Sequence, residues 1–194
     1  IKYLYKNYGD HEAFFRTTEQ SKWSPNDKSK GLFFVWSPDD PGTGITPIPE
    51  EQKVTGSYYR AAIDEIHALS DGGLVIVNTV DPIWIDDGHF DGLYNYVTSE
   101  LHEIDPIEVE TWVQSIPEGS LYIPSVIPSF IVGFDENNEA RADPKITGLY
   151  VPRNGGKTYS GQWKAAIGTS VEPAMVTITS FNEWHESTQI EPAA

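Results

Sequence analysis

The sequence has no cysteine and one methionine, and its basic side chains are few: 13 Lys and Arg against 29 Asp and Glu. Without cysteine there is no disulfide, no thiolate metal site and no cysteine nucleophile, and the redox compartment stays open. No apolar run approaches the ~20 residues of a membrane-spanning helix, and no signal-peptide pattern is present. The formal net charge of −16 repels phosphate backbones and anionic lipid, so neither nucleic acid nor a membrane surface is an expected partner. A neutral, hydroxyl-rich molecule does not feel that field. What the chain does have is aromatic: 6 Trp, 10 Tyr and 8 Phe. Their flat faces suit the C–H faces of sugar rings, and core packing accounts for more than half of them. A hydrophobic content of 39 % over 194 residues supports one domain with its own core.

Along the chain, apolar runs alternate with amphipathic stretches. Ile1, Leu4, Tyr5 and Tyr8 have helical spacing ending at Gly9,. Gly31–Ser37 (GLFFVWS) reads as a buried strand, and the Pro-, Gly- and acid-rich stretch Asp39–Gln52 as a surface loop,. A helix over Ser57–Leu69 precedes strands at Leu74–Val80 and Asp91–Val97. Val109, Trp112, Val113 and Ile116 mark a helix capped by Asp105, with Pro106 in its first turn,. Then come a strand at Leu121–Val126, a long polar loop, a helix carrying Tyr159, Trp163 and Ile167, and a strand at Met175–Ser180.

Apolar strands alternating with helices predict an α/β fold with a parallel sheet. Five strands do not close an eight-stranded barrel. The sheet is therefore open, or strand–helix units lie outside this chain, which begins at Ile1 within a helical pattern. An unclosed edge invites aggregation, so a covering segment, in this chain or another, is an expected partner.

Thr177–Glu191 (TITSFNEWHESTQIE) concentrates the chemistry: a β-branched strand runs directly into Asn182, Glu183, Trp184, His185 and Glu186. In parallel α/β proteins, residues just beyond a strand's C-terminal end face the site. Cleaving a glycosidic bond needs one carboxylic acid to protonate the leaving oxygen and a second carboxylate on the anomeric side. If the strand runs into a helical turn, Glu183 and Glu186 share a face with Cβ atoms roughly 5–6 Å apart. Two close carboxylates do not both ionise cheaply, so one of them is expected to stay protonated to higher pH. The same pattern also fits a solvated acidic turn after an edge strand. Asn182 fits a sugar ligand or a helix cap. Glu183, His185 and Glu186 form at most a sparse metal set, and no cofactor is called for.

FNEWHESTQIEPA resembles the FNEWHEGTQIE motif of glycoside hydrolase family 99, the endo-α-mannosidases. IKYLYKNYGDHEAFFR, GLFFVWS, HFDGLYNYV, LYIPSVIPSF and GGKTYSGQWKAAI resemble other segments of that family in the same order, so the likeness covers nearly the whole chain. It implies a (β/α)8 TIM-type barrel, of which residues 1–194 supply about the last five strands, and a remaining N-terminal part of the barrel elsewhere. It implies a retaining endo-acting α-mannosidase working without metal on a mannose-containing glycan, in a secreted, periplasmic or secretory-pathway setting. By motif position, Glu183 is the base toward the sugar 2-hydroxyl and Glu186 the general acid/base. Tyr96, with Tyr94 on the same Tyr-x-Tyr strand, contacts the reacting sugar. His11, Asn182 and Trp184 are substrate-binding or supporting positions. The departures are Ser187 in place of the usual Gly, Trp36-Ser37 in place of Tyr-Asp, and no Arg-Pro-Trp-Asn run in Gly133–Tyr150, where Arg141 or Arg153 is the available substitute. A catalytically inactive barrel serving as a glycan-binding or assembly module is the alternative that these departures favour.

Overall fold

The computed structural model describes residues 1–17, 30–36, 38–39, 50–69, 72–96, 106–131, 150–184 and 186–191. The Asp105 cap, Val97, Ser37, Arg141, His185 and most of the Asp39–Gln52 loop lie outside them. In chain order the elements are α1 (Lys2–Tyr8), β1 (Leu32–Val35), α2 (Arg60–His67), β2 (Leu74–Asn78), α3 (Ile83–Gly88), β3 (Gly92–Tyr94), α4 (Pro106–Ser115), β4 (Leu121–Ile123), β5 (Ser125–Val126), β6 (Phe130–Ile131), β7 (Tyr150–Val151), α5 (Lys157–Ile167) and β8 (Thr177–Ile178). They fall into two compact units, Ile1–Tyr94 with Pro117–Leu121, and Asn95–Ile116 with Tyr122–Ala194.

In the first unit β1, β2 and β3 are parallel, with Leu32 opposite Leu74 and Ile76 opposite Gly92. β2 reads LVIVN and is buried along its first four residues, as a continuous apolar run inside a parallel sheet should be. β1 is not the buried strand predicted: Phe34 is 42 % exposed, because among the described residues β1 stands at the end of its sheet. The Ile1-to-Tyr8 stripe of α1 likewise contains no buried residue. Among the described residues, Tyr5 ties it inward. Its hydroxyl accepts from Gly31 N at 2.9 Å and donates to Gly72 O at 2.8 Å, while its ring meets Phe14 and Phe33 edge-on. The Arg16 guanidinium lies 4.9 Å from that ring's centre, a cation–π contact. Of the first motif's aromatics, Tyr5 and Phe14 thus serve packing, whereas Tyr3, Tyr8 and Phe15 are exposed.

Two elements differ from expectation here. Helix α2 begins only at Arg60, preceded by a 3-10 turn at Gly56–Tyr58. The short α3 was not expected at all. It follows Asp81-Pro82, and the Asp81 carboxylate accepts from Ile83 N at 3.0 Å, a start signal that a six-residue helix gives no periodicity to support. Gly92 in β3 is fixed by close approach. A Cβ there would sit 2.3 Å from Leu121 O, and Leu121 is itself held by its N–H on Asp91 O at 2.8 Å. Gly92→Ala is expected to destabilise the protein by about 1–3 kcal/mol, read as a lower denaturation midpoint.

In the second unit, Val109 and Val113 of α4, Ala165 of α5 and Tyr122 form a buried cluster flanked by Trp112 and Ile116, as the spacing of α4 predicted; α5 instead turns Gln162, Ala165 and Ala166 inward and leaves Ile167 of the expected stripe exposed. The expected strand Leu121–Val126 is broken in two at Pro124, which has no N–H to give to a ladder. Beyond the break, β5 pairs in parallel with β8, Ser125 opposite Thr177 and Val126 opposite Ile178. β8 is shorter than predicted, and Ile178 is 40 % exposed. β6 and β7 form an antiparallel pair where the sequence reading saw only a loop. Ile127, Phe130 and Val151 close a small core beneath them. The α/β class with parallel strands is what the fold displays.

Candidate active site

Beyond β8 the chain does not continue as a helix, so the helical turn expected to align the two glutamates is absent. Instead residues 179–191 fold back on themselves. Ser180 N donates to Thr188 O at 3.0 Å and Ile190 N to Ser180 O at 3.0 Å. The Ser187 N–H closes a turn on Trp184 O at 3.2 Å. Inside this loop Ser180 Oγ accepts from Glu183 N at 2.9 Å and lies 2.8 Å from Thr188 Oγ1. Thr188 is fully buried, and its N–H reaches Glu183 O at 3.3 Å. A short polar residue on each arm of the loop therefore fixes the backbone of Glu183.

The turn requires a left-handed residue, and Ser187 adopts φ +56°. A serine in that conformation costs about 1–2 kcal/mol relative to an ordinary right-handed residue. Ser187→Gly is expected to stabilise the fold by up to about 1 kcal/mol, the relief being offset by glycine's greater unfolded-state freedom. Chemical denaturation measures it.

Glu183 and Glu186 are both partly covered and feel each other. Burial first, and the Glu183 charge second, raise the Glu186 carboxyl above its ordinary value, as expected for a desolvated acid beside a like charge. Its Oε2 is buried and has no hydrogen-bond partner among the described residues. Tyr96 stands in the field of both: burial, then Glu186, then Glu183, raise its phenol. Its backbone is locked to the same strand ends. Thr179 Oγ1 donates to Tyr96 O at 2.9 Å, which leaves Ser125 Oγ, 2.7 Å away, to donate to Thr179. Asn95 Oδ1 accepts from Ser125 N at 2.9 Å. The predicted Tyr96, Glu183 and Glu186 are therefore brought together by β5 and β8.

Asn182 and Trp184 lie on the same loop, both exposed. The Trp184 indole N–H is held by Glu191 Oε2 at 3.1 Å, and Phe181 beside it is 61 % exposed. The other two predicted residues belong to the first unit. Tyr94 is buried, its ring edge-on to Phe34 at 4.9 Å, which is a packing environment. His11 is exposed in the turn after α1, where its Nδ1 accepts from Ala13 N at 3.1 Å. Among the described residues no three His, Cys, Asp or Glu side chains are grouped to hold a metal ion, and no helix is long and apolar enough to cross a membrane. Sequence reasoning missed Ser180, Thr188, Ser129 and Glu191. The small polar residues bracketing Asn182–Glu186 were the available signal.

Interacting carboxyl groups set just past the end of a parallel strand are an arrangement that glycoside hydrolysis can use. The chain belongs to glycosyl hydrolase family 99, whose model matches residues 1–194. Mouse glycoprotein endo-alpha-1,2-mannosidase is 30 % identical over 205 residues, covering 100 % of this chain and 38 % of the relative. A zebrafish glycoprotein endo-alpha-1,2-mannosidase-like protein is 28 % identical over 205 residues, covering 100 % and 40 %. The solved GH99 endo-alpha-mannosidase of Bacteroides thetaiotaomicron superposes with a TM-score of 0.67 at 28 % identity, covering 100 % of this chain and 50 % of that one. The chain spans well under half the length of these curated relatives.

Proposed function

We propose that this chain carries the acid–base centre of a retaining, endo-acting α-mannosidase that cleaves internal α-mannosidic linkages of a glycan. The observation that carries the reading is the Glu186 carboxyl, pushed toward its protonated form by burial and by Glu183. Glu183, ionised, takes the proton of the sugar 2-hydroxyl. O2 then attacks C1, the C1–O glycosidic bond breaks, and Glu186 gives its proton to the leaving oxygen. The 1,2-anhydro sugar so formed opens when Glu186, now a carboxylate, takes a proton from water. The resulting hydroxide attacks C1, and Glu183 returns its proton to O2. Two inversions at C1 give net retention. Tyr96 borders the reacting sugar, and Asn182 and exposed Trp184 offer polar and stacking contacts.

The same family membership supports a (β/α)8 barrel, of which this chain gives about the last five strands as part of one catalytic domain. An end strand with an exposed Phe34 and an unburied apolar stripe on α1 support a covering N-terminal segment. A secretory-pathway, periplasmic or extracellular location fits relatives that act on glycoproteins. The charge of −16 speaks against nucleic acid and anionic membrane as partners. Incubating the protein with a mannan-type oligosaccharide, alongside an aryl α-mannoside carrying no further sugar, tests the reading. Internal cleavage of the first supports it; no cleavage of any α-mannoside leaves the glycan-binding alternative.

A further inference from the structure

Arg153 follows β7, and its exposed guanidinium points back at the site loop. One nitrogen, Nη2, donates to Gln189 O at 2.6 Å and to Ser187 O at 3.1 Å. Its two hydrogens thus hold two carbonyls of one turn. Ser187 O receives a second donor from the fully buried Ser129, through its hydroxyl. Ser187 is the left-handed residue of the turn and directly follows Glu186. Thr188, between the two clamped carbonyls, is the residue whose N–H and hydroxyl tie back to Glu183 and Ser180. Restraint applied at residues 187–189 therefore reaches both glutamates through one peptide and two hydrogen bonds.

We infer that Arg153, with Ser129 sharing its acceptor, is a positioning residue that clamps the Ser187–Gln189 backbone and so sets the placement of Glu186 beside Glu183. The inference rests on the acid–base reading of that pair. It also gives Arg153 work other than replacing the absent Arg-Pro-Trp-Asn run as a sugar contact, since both hydrogens of Nη2 are committed to protein carbonyls. Charge-assisted bonds of this kind are stronger and more directional than neutral ones. A displacement of the order of 1 Å at a catalytic group suffices for about a 10²-fold loss of rate.

The test compares Arg153→Met, Arg153→Lys and Ser129→Ala with the parent in steady-state kinetics on an α-mannoside across pH, with a carbon-13 NMR titration of Glu186 beside it. Arg153→Met is expected to lower kcat about 10- to 100-fold with KM little changed. The alkaline limb should move to lower pH as the loosened loop wets the buried Glu186 oxygen. Lysine should restore part of the loss. Because both donors act on Ser187 O, adding Ser129→Ala to Arg153→Met should cost less than the product of the single losses. A merely structural residue would lower the melting temperature and leave the limb and the Glu186 titration where they were; that result overturns the clamp. If Arg153→Met does not fold, the Lys and Ala variants carry the same comparison. If the parent cleaves nothing, the functional reading fails, and the NMR titration alone still decides: an unmoved Glu186 pKa in the Arg153 variant refutes the clamp.

Discussion

Glu186→Gln is expected to reduce turnover of an α-mannoside by about 10²- to 10⁴-fold, the range that a positioned general acid contributes, while glycan affinity stays near that of the parent. The amide keeps the shape of the carboxyl and cannot give a proton to the leaving oxygen. The same substitution should change stability in the opposite sense. Folded Glu186 holds its proton to higher pH than the unfolded chain does, because burial and the Glu183 charge oppose its ionisation. Between the ordinary carboxylate value and the raised one, the native state therefore binds more protons, and stability falls as pH rises. Glutamine abolishes that penalty. The variant should be more stable than the parent at neutral pH, and the two should converge below about pH 4, where both states are protonated. Urea denaturation at several pH values beside the kinetic assay checks both halves. A variant that loses activity without gaining stability at neutral pH would mean that burial and Glu183 do not oppose the ionisation of Glu186.

Glu183→Gln is expected to be as damaging to turnover, about 10²- to 10⁴-fold, because the neutral amide cannot accept the 2-hydroxyl proton. Its pH signature should differ. Removing the neighbouring negative charge takes away the second of the two causes that raise Glu186 and leaves the first, burial, in place. The alkaline limb of the residual activity should move down in pH, though not to that of a free carboxylate. Tyr96, raised in smaller part by both glutamates, should move in the same direction, and ultraviolet titration of the phenol follows it. A limb that does not move would show that the two carboxyls do not share a field.

The strands that were legible are those whose residues leave no alternative. LVIVN and LFFV are continuous apolar runs bounded by turn residues, and they became β2 and β1. Helix α4 followed from the spacing of Val109, Trp112, Val113 and Ile116; the stripe of Tyr159, Trp163 and Ile167 located α5 but not its inner face, which is Gln162, Ala165 and Ala166 while Ile167 is 60 % exposed. Two-residue strands carry no period, so β6 and β7 were not visible. The division of Leu121–Val126 was written in Pro124 and was passed over. At the site, residue types were readable and geometry was not. Glu183 does act electrostatically on Glu186, but not through the helical turn from which their spacing was read. The turn that forms instead depends on Ser187 taking a left-handed conformation and on Ser180 and Thr188 meeting across the loop. The partners of that turn come from far along the chain, Ser129 by 58 positions and Arg153 by 34. Local spacing cannot reveal such contacts. Tyr94 and Tyr96 show the same limit within one motif: the resemblance gave both to the sugar, whereas Tyr94 ends β3 and packs against Phe34, and Tyr96 lies beyond it, partly open in the field of the glutamates.

The central claim is that these two glutamates hydrolyse an α-mannosidic bond through the substrate's own 2-hydroxyl. Proton NMR of the anomeric signals during the first minutes of cleavage tests it most directly. Two successive inversions require the new reducing mannose to appear first as the α-anomer and then to mutarotate. A β-anomer released first would mean a single displacement by water, and would contradict the account.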